Sequence, residues 1–247
     1  MHFGLIGKSL SHSFSKSYLE EKFIKEDKVG FQYSNFDLDN LDHLLQLIIE
    51  HKLSGLNVTK PYKEVVIPFL HELDITAQEI GAVNCIKIIW KNNTPHLIGY
   101  NTDYYGFAQS IKPFLEPIHQ RALILGTGGA SKAVAFALKK VGVDFYYVTS
   151  GEKKAANYFH YVELNEYVFN AFKLIVNCTP LGMYPKTDAC PDIPFEFITP
   201  EHLLYDLIYN PEETLFLQKG KAHGAVTING LNMLKLQADK AWEIWHN

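Results

Sequence analysis

The sequence predicts an α/β protein of two domains, one built on a mixed sheet and one of the Rossmann type. Three observations carry this. Short apolar runs alternate with amphipathic ones in the first part of the chain, a hairpin-like pair of runs then breaks that rhythm, and a second alternating series opens on a strand, a glycine turn and a helix. With 247 residues, 47% of them hydrophobic, the chain can fill two cores of ordinary size.

Residues 3–6 read as the first strand, and residues 15–25 as a helix whose Tyr18, Leu19 and Phe23 share a face. Residues 31–36 give the next strand. Leu41, Leu44, Leu45 and Ile48 then form a helical stripe ahead of a strand at 53–58. Residues 85–90 and 97–100 look like a hairpin around Asn92-Asn93, which makes the first sheet mixed rather than all-parallel. A helix from Tyr104 to about Phe114 leads into Lys112-Pro113 and Glu116-Pro117, which suit a helix end and an interdomain connection. The second series has strands at 122–125, 145–148, 174–177 and 203–207, with helices at 130–141 and 214–221. Residues 164–172 are ambiguous. The last stretch, 231–245, is helical, with Leu234, Trp242 and Trp245 as core anchors.

A net charge of -4, with 23 Lys+Arg and 27 Asp+Glu spread without long runs, argues against a nucleic-acid groove or an anionic-membrane surface. The expected partner is a small molecule. Cys85, Cys178 and Cys190 form no C-x-x-C pair, so neither a disulfide framework nor a cysteine metal site is indicated, and a reducing compartment fits. The N-terminal residues lack a basic stretch and a long apolar stretch, so they do not read as a signal peptide. The expected location is the cytoplasm.

Two segments point to chemistry. Ala122-Leu123-Ile124-Leu125 followed by Gly126-Thr127-Gly128-Gly129-Ala130-Ser131 is the strand, turn and helix start of a dinucleotide-binding unit. Gly126 permits a tight turn, Gly128 lets backbone approach a pyrophosphate, and the small Ala130 and Ser131 let the helix pack close with its amides facing the anion. The next strand ends at Val148-Thr149-Ser150, with no carboxylate at its tip to read a ribose, while Lys153 and Lys154 lie just beyond and suit a 2′-phosphate. That leans toward NADP. The other segment, Asn57-Val58-Thr59-Lys60-Pro61-Tyr62-Lys63-Glu64, sets a lysine in the first turn of a helix next to a strand end. The positive end of a helix disfavours a second positive charge, which makes Lys63 a candidate for exchanging a proton.

Taken together, these segments resemble the shikimate dehydrogenase family over essentially the whole chain. Gly7-Lys8-Ser9-Leu10-Ser11-His12-Ser13-Phe14-Ser15 is similar to the family's substrate-carboxylate loop, which implies that Ser13 and Ser15 hold an acid group. Asn57-Val58-Thr59 with Lys63, Ala82-Val83-Asn84, and Asn101-Thr102-Asp103 resemble its other substrate-domain pieces. The resemblance implies a catalytic pair, Lys63 and Asp103, with Thr59, Asn84 and Gln237 bonding substrate hydroxyls and Tyr209 near the substrate. Asn177-Cys178-Thr179-Pro180-Leu181-Gly182-Met183 and Asn229-Gly230-Leu231-Asn232-Met233-Leu234 resemble nicotinamide-side segments, which implies cofactor contacts from Thr179, Gly230 and Met233 beside those of Gly126, Gly128, Gly129, Ala130, Thr149 and Ser150. It also implies that the C-terminal helix rejoins the first domain. The expected domains are residues 1–103 plus 229–247 for substrate and 104–228 for NADP.

Some positions depart from the family pattern. Lys8-Ser9 stands where Asn-Pro is common, Lys16 replaces a common proline, and Lys60 sets a second lysine close to Lys63. Thr149-Ser150-Gly151 replaces Asn-Arg-Thr, so the arginine that clamps the 2′-phosphate is absent and NAD stays open beside NADP. The implied reaction is reversible NADPH-dependent reduction of 3-dehydroshikimate to shikimate, with no metal, by a monomer or homodimer. A quinate-using relative would share Lys63 and Asp103, but both serines, Ser13 and Ser15, favour shikimate. A nucleotide sensor would have no use for a proton-transfer pair.

Overall fold

The computed structural model describes residues 1–8, 10, 14–152 and 155–246. The expected site residue Ser13, and Lys153 and Lys154, lie outside the described residues. By contact the chain divides into two compact units, Met1–Thr102 with Gln237–Asn247, and Asp103–Leu236.

The first unit runs β1 (His2–Gly7), α1 (Phe14–Lys25), β2 (Gln32–Asp37), α2 (Leu44–Glu50), β3 (Leu53–Val58), α3 (Tyr62–Val65), β4 (Glu72–Leu73), α4 (Ile75–Ile80), β5 (Cys85–Lys91) and β6 (Thr94–Tyr100). Its sheet has the order β2-β1-β3-β5-β6-β4 and is mixed: β1 is parallel to β2 and β3, and β5 is antiparallel to β3 and β6. The hairpin turns on Asn92 and Asn93 with φ of 49° and 62°, values asparagine tolerates and a two-residue loop requires. Ile6, Leu56 and Ile86 face α2 through Leu44 and Ile48. Phe3, Leu5, Leu19 and Phe23 share a second cluster with Trp242 and Trp245. Phe3 and Trp245 stack at 4.7 Å between centroids. A Cβ on Gly55 would strike the Trp245 indole, so glycine there lets the C-terminal helix lie against the sheet. Burying rings of this size contributes roughly 1.5–3 kcal/mol each.

The second unit runs α5 (Asp103–Ile111), β7 (Arg121–Leu125), α6 (Gly129–Lys140), β8 (Asp144–Thr149), β9 (Tyr158–His160), α7 (Glu166–Ala171), β10 (Leu174–Asn177), β11 (Leu203–Asp206), α8 (Leu215–Ala222) and β12 (Val226–Ile228), and then α9 (Leu231–His246) begins. Its sheet is parallel throughout in the order β9-β8-β7-β10-β11-β12. In order of appearance that is 3-2-1-4-5-6, the doubly wound arrangement in which ligands bind outside the carboxyl ends of the strands, where the order reverses. Here the reversal lies between β7 and β10. The ambiguous stretch at 164–172 contains α7, and β9 and β12 are additions to the sequence reading. By contact the chain rejoins the first unit at Gln237, and Met233 packs with Phe107 and Tyr205 in the second unit's core. Among the described residues, no helix is long and apolar enough to cross a membrane.

Candidate functional site

In the first unit the carboxyl ends of β1 and β3 and the start of β5 converge. Thr59 follows β3 and Asn84 precedes β5, and the antiparallel pairing of Asn57 with Cys85 sets them at one end of the sheet. The amide of Val58 donates to the Asn84 carbonyl (2.8 Å), and that of Thr59 to the Ile6 carbonyl (2.9 Å). The Asn57 side chain is held by Tyr33, whose hydroxyl donates to its Oδ1 at 2.7 Å.

Around Asn84 the polar groups form a linked set. Its Nδ2 donates to Gln237 Oε1 (3.2 Å) and to Thr102 Oγ1 (3.0 Å), and its Oδ1 accepts from the Thr102 amide (2.6 Å). Thr102 Oγ1 lies 3.3 Å from Gln237 Oε1 and donates to it. All three residues are buried, where an unmade hydrogen bond is costly, so the set fixes which face each amide presents. Thr102 has no role in the sequence reading, because a buried threonine carries no sequence signal of its own. Gln237 comes from α9, which is tied to α1 by Asp239: Tyr18 Oη and Lys22 Nζ donate to its carboxylate at 3.0 and 2.9 Å. Ser15, half-buried in the first turn of α1, thus rides on a helix braced against the one that carries Gln237.

Lys63 sits in α3, a single turn with Pro61 at its N-cap. One turn aligns few peptide dipoles, so a strong field at this helix start is not what places the lysine. Backbone does: the Val83 amide donates to the Lys63 carbonyl at 2.7 Å, joining α3 to the segment of Asn84. The Lys63 side chain is half-buried, Lys60 is exposed, and Asp103 is buried as the first residue of α5 in the second unit.

The second unit presents an anion-ready edge. Gly126 has φ of +99° and a Cβ there would lie 3.1 Å from Thr179 Cγ2, so glycine is required and Thr179 stands beside the turn. A Cβ on Gly128 would meet open space, and Gly128 caps the twelve-residue α6 without any side-chain acceptor. A helix start with no side-chain cap suits a phosphate, so Gly128, Gly129 and Ala130 fit a pyrophosphate. The Gly126 amide bonds the Val148 carbonyl (2.9 Å), which brings the end of β8 alongside. There Thr149 is buried with its hydroxyl accepting from the Gly151 amide, and Ser150 is exposed. Gly230 passes so close to the Leu207 carbonyl that a Cβ would collide with it. Met233 is buried in the core cluster, and Tyr209 is half-buried after β11. Among the described residues, no cluster of His, Cys, Asp or Glu could hold a metal ion.

A doubly wound dinucleotide domain, joined in one chain to a domain that gathers buried amides and hydroxyls, defines a two-domain nicotinamide-dependent dehydrogenase of polar substrates. The comparisons make this specific. The family model described as the shikimate dehydrogenase substrate binding domain matches residues 5–86. Shikimate dehydrogenase (NADP(+)) of Desulforamulus reducens is 37% identical, covering 98% of this chain and 88% of its own. Shikimate dehydrogenase 1 of Peptoclostridium difficile superposes with a TM-score of 0.84 at 38% identity, covering 99% of this chain and 91% of that one. Shikimate 5-dehydrogenase of Thermus thermophilus, solved with NADP(H) and shikimate, gives 0.86 at 29% identity, covering 99% and 93%. The chain belongs to the shikimate dehydrogenase family.

Proposed function

We propose that this chain reversibly reduces 3-dehydroshikimate to shikimate with NADPH, in the route to chorismate and the aromatic amino acids. The observation that carries the reading is the buried Asn84, Thr102 and Gln237 set, which pre-orients two amides of the kind a polyhydroxylated ring needs. Thr59, Asn84 and Gln237 bond ring hydroxyls, Tyr209 borders the substrate, and Ser13 and Ser15 take the carboxylate. When bound, the nicotinamide supplies the hydride. Negative charge then grows on the carbonyl oxygen, and Lys63 donates the proton to it, with Asp103 orienting the ammonium.

Gly126, Gly128, Gly129 and Ala130 cradle the pyrophosphate, Thr149 and Ser150 border the adenosine ribose, and Thr179, Gly230 and Met233 line the nicotinamide side. Cys85, Cys178 and Cys190 are free thiols, in keeping with a cytoplasmic enzyme, and we read it as a monomer or homodimer. The test is an assay of shikimate and quinate, each with NADP and NAD, followed by absorbance of the reduced nicotinamide. Shikimate with NADP should give the largest kcat/KM. Tight cofactor binding without turnover of either substrate would favour a nucleotide sensor instead.

A further inference from the structure

Asp206 ends β11 with no exposed surface, and three donors converge on it. Its Oδ1 accepts from Asn177 Nδ2 and from the Ile208 amide, both at 3.0 Å, and its Oδ2 accepts from Thr214 Oγ1 at 2.6 Å. An ionised carboxylate only accepts, so it forces Asn177 to turn its NH2 inward. The Asn177 Oδ1 is thereby aimed at Thr179 and accepts from both its amide (3.0 Å) and its hydroxyl (2.7 Å). On the other side, Ile208, pinned through its amide, accepts at its carbonyl from the Gly230 amide at 3.0 Å. One hydrogen-bonded chain thus runs Thr179, Asn177, Asp206, Ile208, Gly230 along the carboxyl edge of the parallel sheet.

We propose that Asp206 is a positioning residue for the cofactor: its carboxylate fixes the spacing between the Thr179 loop and the Gly230 turn, the two segments that flank the nicotinamide. This rests on the dehydrogenase reading above. Burial pushes the Asp206 carboxyl up to about 6, opposed by its three hydrogen bonds. A fold that needed only packing here would be served better by an apolar residue, because a buried charge is costly unless its bonds do something an apolar side chain cannot. The Thr214 bond extends the same control to α8, which Thr214 caps through the Leu217 amide.

The test uses the full chain and NADPH fluorescence. Asp206→Ala should raise the NADPH dissociation constant by about tenfold or more, the scale of one lost charge-assisted bond. The shikimate KM should change less than about threefold, and Asp206→Asn, which keeps an oxygen facing Asn177 and Ile208, should recover most of the affinity. Asn177→Ala, which breaks the link from Asp206 to Thr179 and leaves the Asp206 bonds to Ile208 and Thr214 in place, should weaken NADPH in the same way and decides the matter if Asp206→Ala does not fold. Unchanged NADPH affinity in folded Asp206→Ala or Asn177→Ala, or equal losses for NADPH and shikimate in them, would overturn the proposal. Absence of NADPH binding by the unsubstituted protein would instead overturn the dehydrogenase reading.

Discussion

The side-chain amide of Asn84 donates to Gln237 Oε1 at 3.2 Å, joining residues 153 positions apart. Thr102 bonds both, so neither amide can turn without leaving a buried polar atom unpaired. Gln237→Ala should therefore raise the shikimate KM by roughly tenfold, one hydrogen bond's worth, while NADPH affinity stays within about twofold. Initial-rate kinetics with each reactant varied would show it; an equal loss for both reactants would not fit.

At the nucleotide turn, Gly126→Ala forces a Cβ into a φ of +99° and against Thr179. The expected cost is about 1–2 kcal/mol of stability, with weaker NADPH binding. Urea denaturation together with a fluorescence titration reads both, and an unchanged midpoint would show that the turn relaxes.

Asp206 gives a pH signature. Its folded value of about 6 lies above the ordinary 3.8, so between these values the folded protein holds a proton the unfolded chain has lost. That contribution to stability is present below about 4 and is lost as pH rises through about 6, a swing of roughly 3 kcal/mol. Burial also holds the neighbouring Cys178 thiol and Tyr205 hydroxyl well above their ordinary values, so neither titrates in this window. Relative to the unsubstituted protein, Asp206→Asn should gain stability from pH 4 to pH 7 in urea denaturation. Parallel curves would contradict this.

Ser150 is exposed at the end of β8, where an arginine is common in the family. Ser150→Arg should lower the NADP KM several-fold, about 1 kcal/mol for a charged contact at an exposed site, and leave the NAD KM unchanged. If both constants move together, Ser150 does not border the 2′-phosphate.

The sequence foretold what periodicity and turn chemistry encode. The apolar run Ala122-Leu123-Ile124-Leu125 became a fully buried central strand, and Asn92-Asn93 became the hairpin turn. What escaped was short or relational. Strands β9 and β12 have three residues each, too few for a period of two to show against a helix or a loop. The Asp206 cluster draws on partners 29 and 8 positions away, and nothing in Leu203-Leu204-Tyr205-Asp206 announces that its aspartate will be buried. For Lys63 the position was legible and its cause was not: a carbonyl bonded to Val83 holds a single-turn helix in place of a strong helix field.

Proton donation by Lys63 is tested most directly by kcat and KM for shikimate in Lys63→Ala. Loss of the proton donor should lower kcat by about 10²–10⁴-fold with KM within about threefold, because the substrate is held by other groups. A kcat close to that of the unsubstituted enzyme would contradict it.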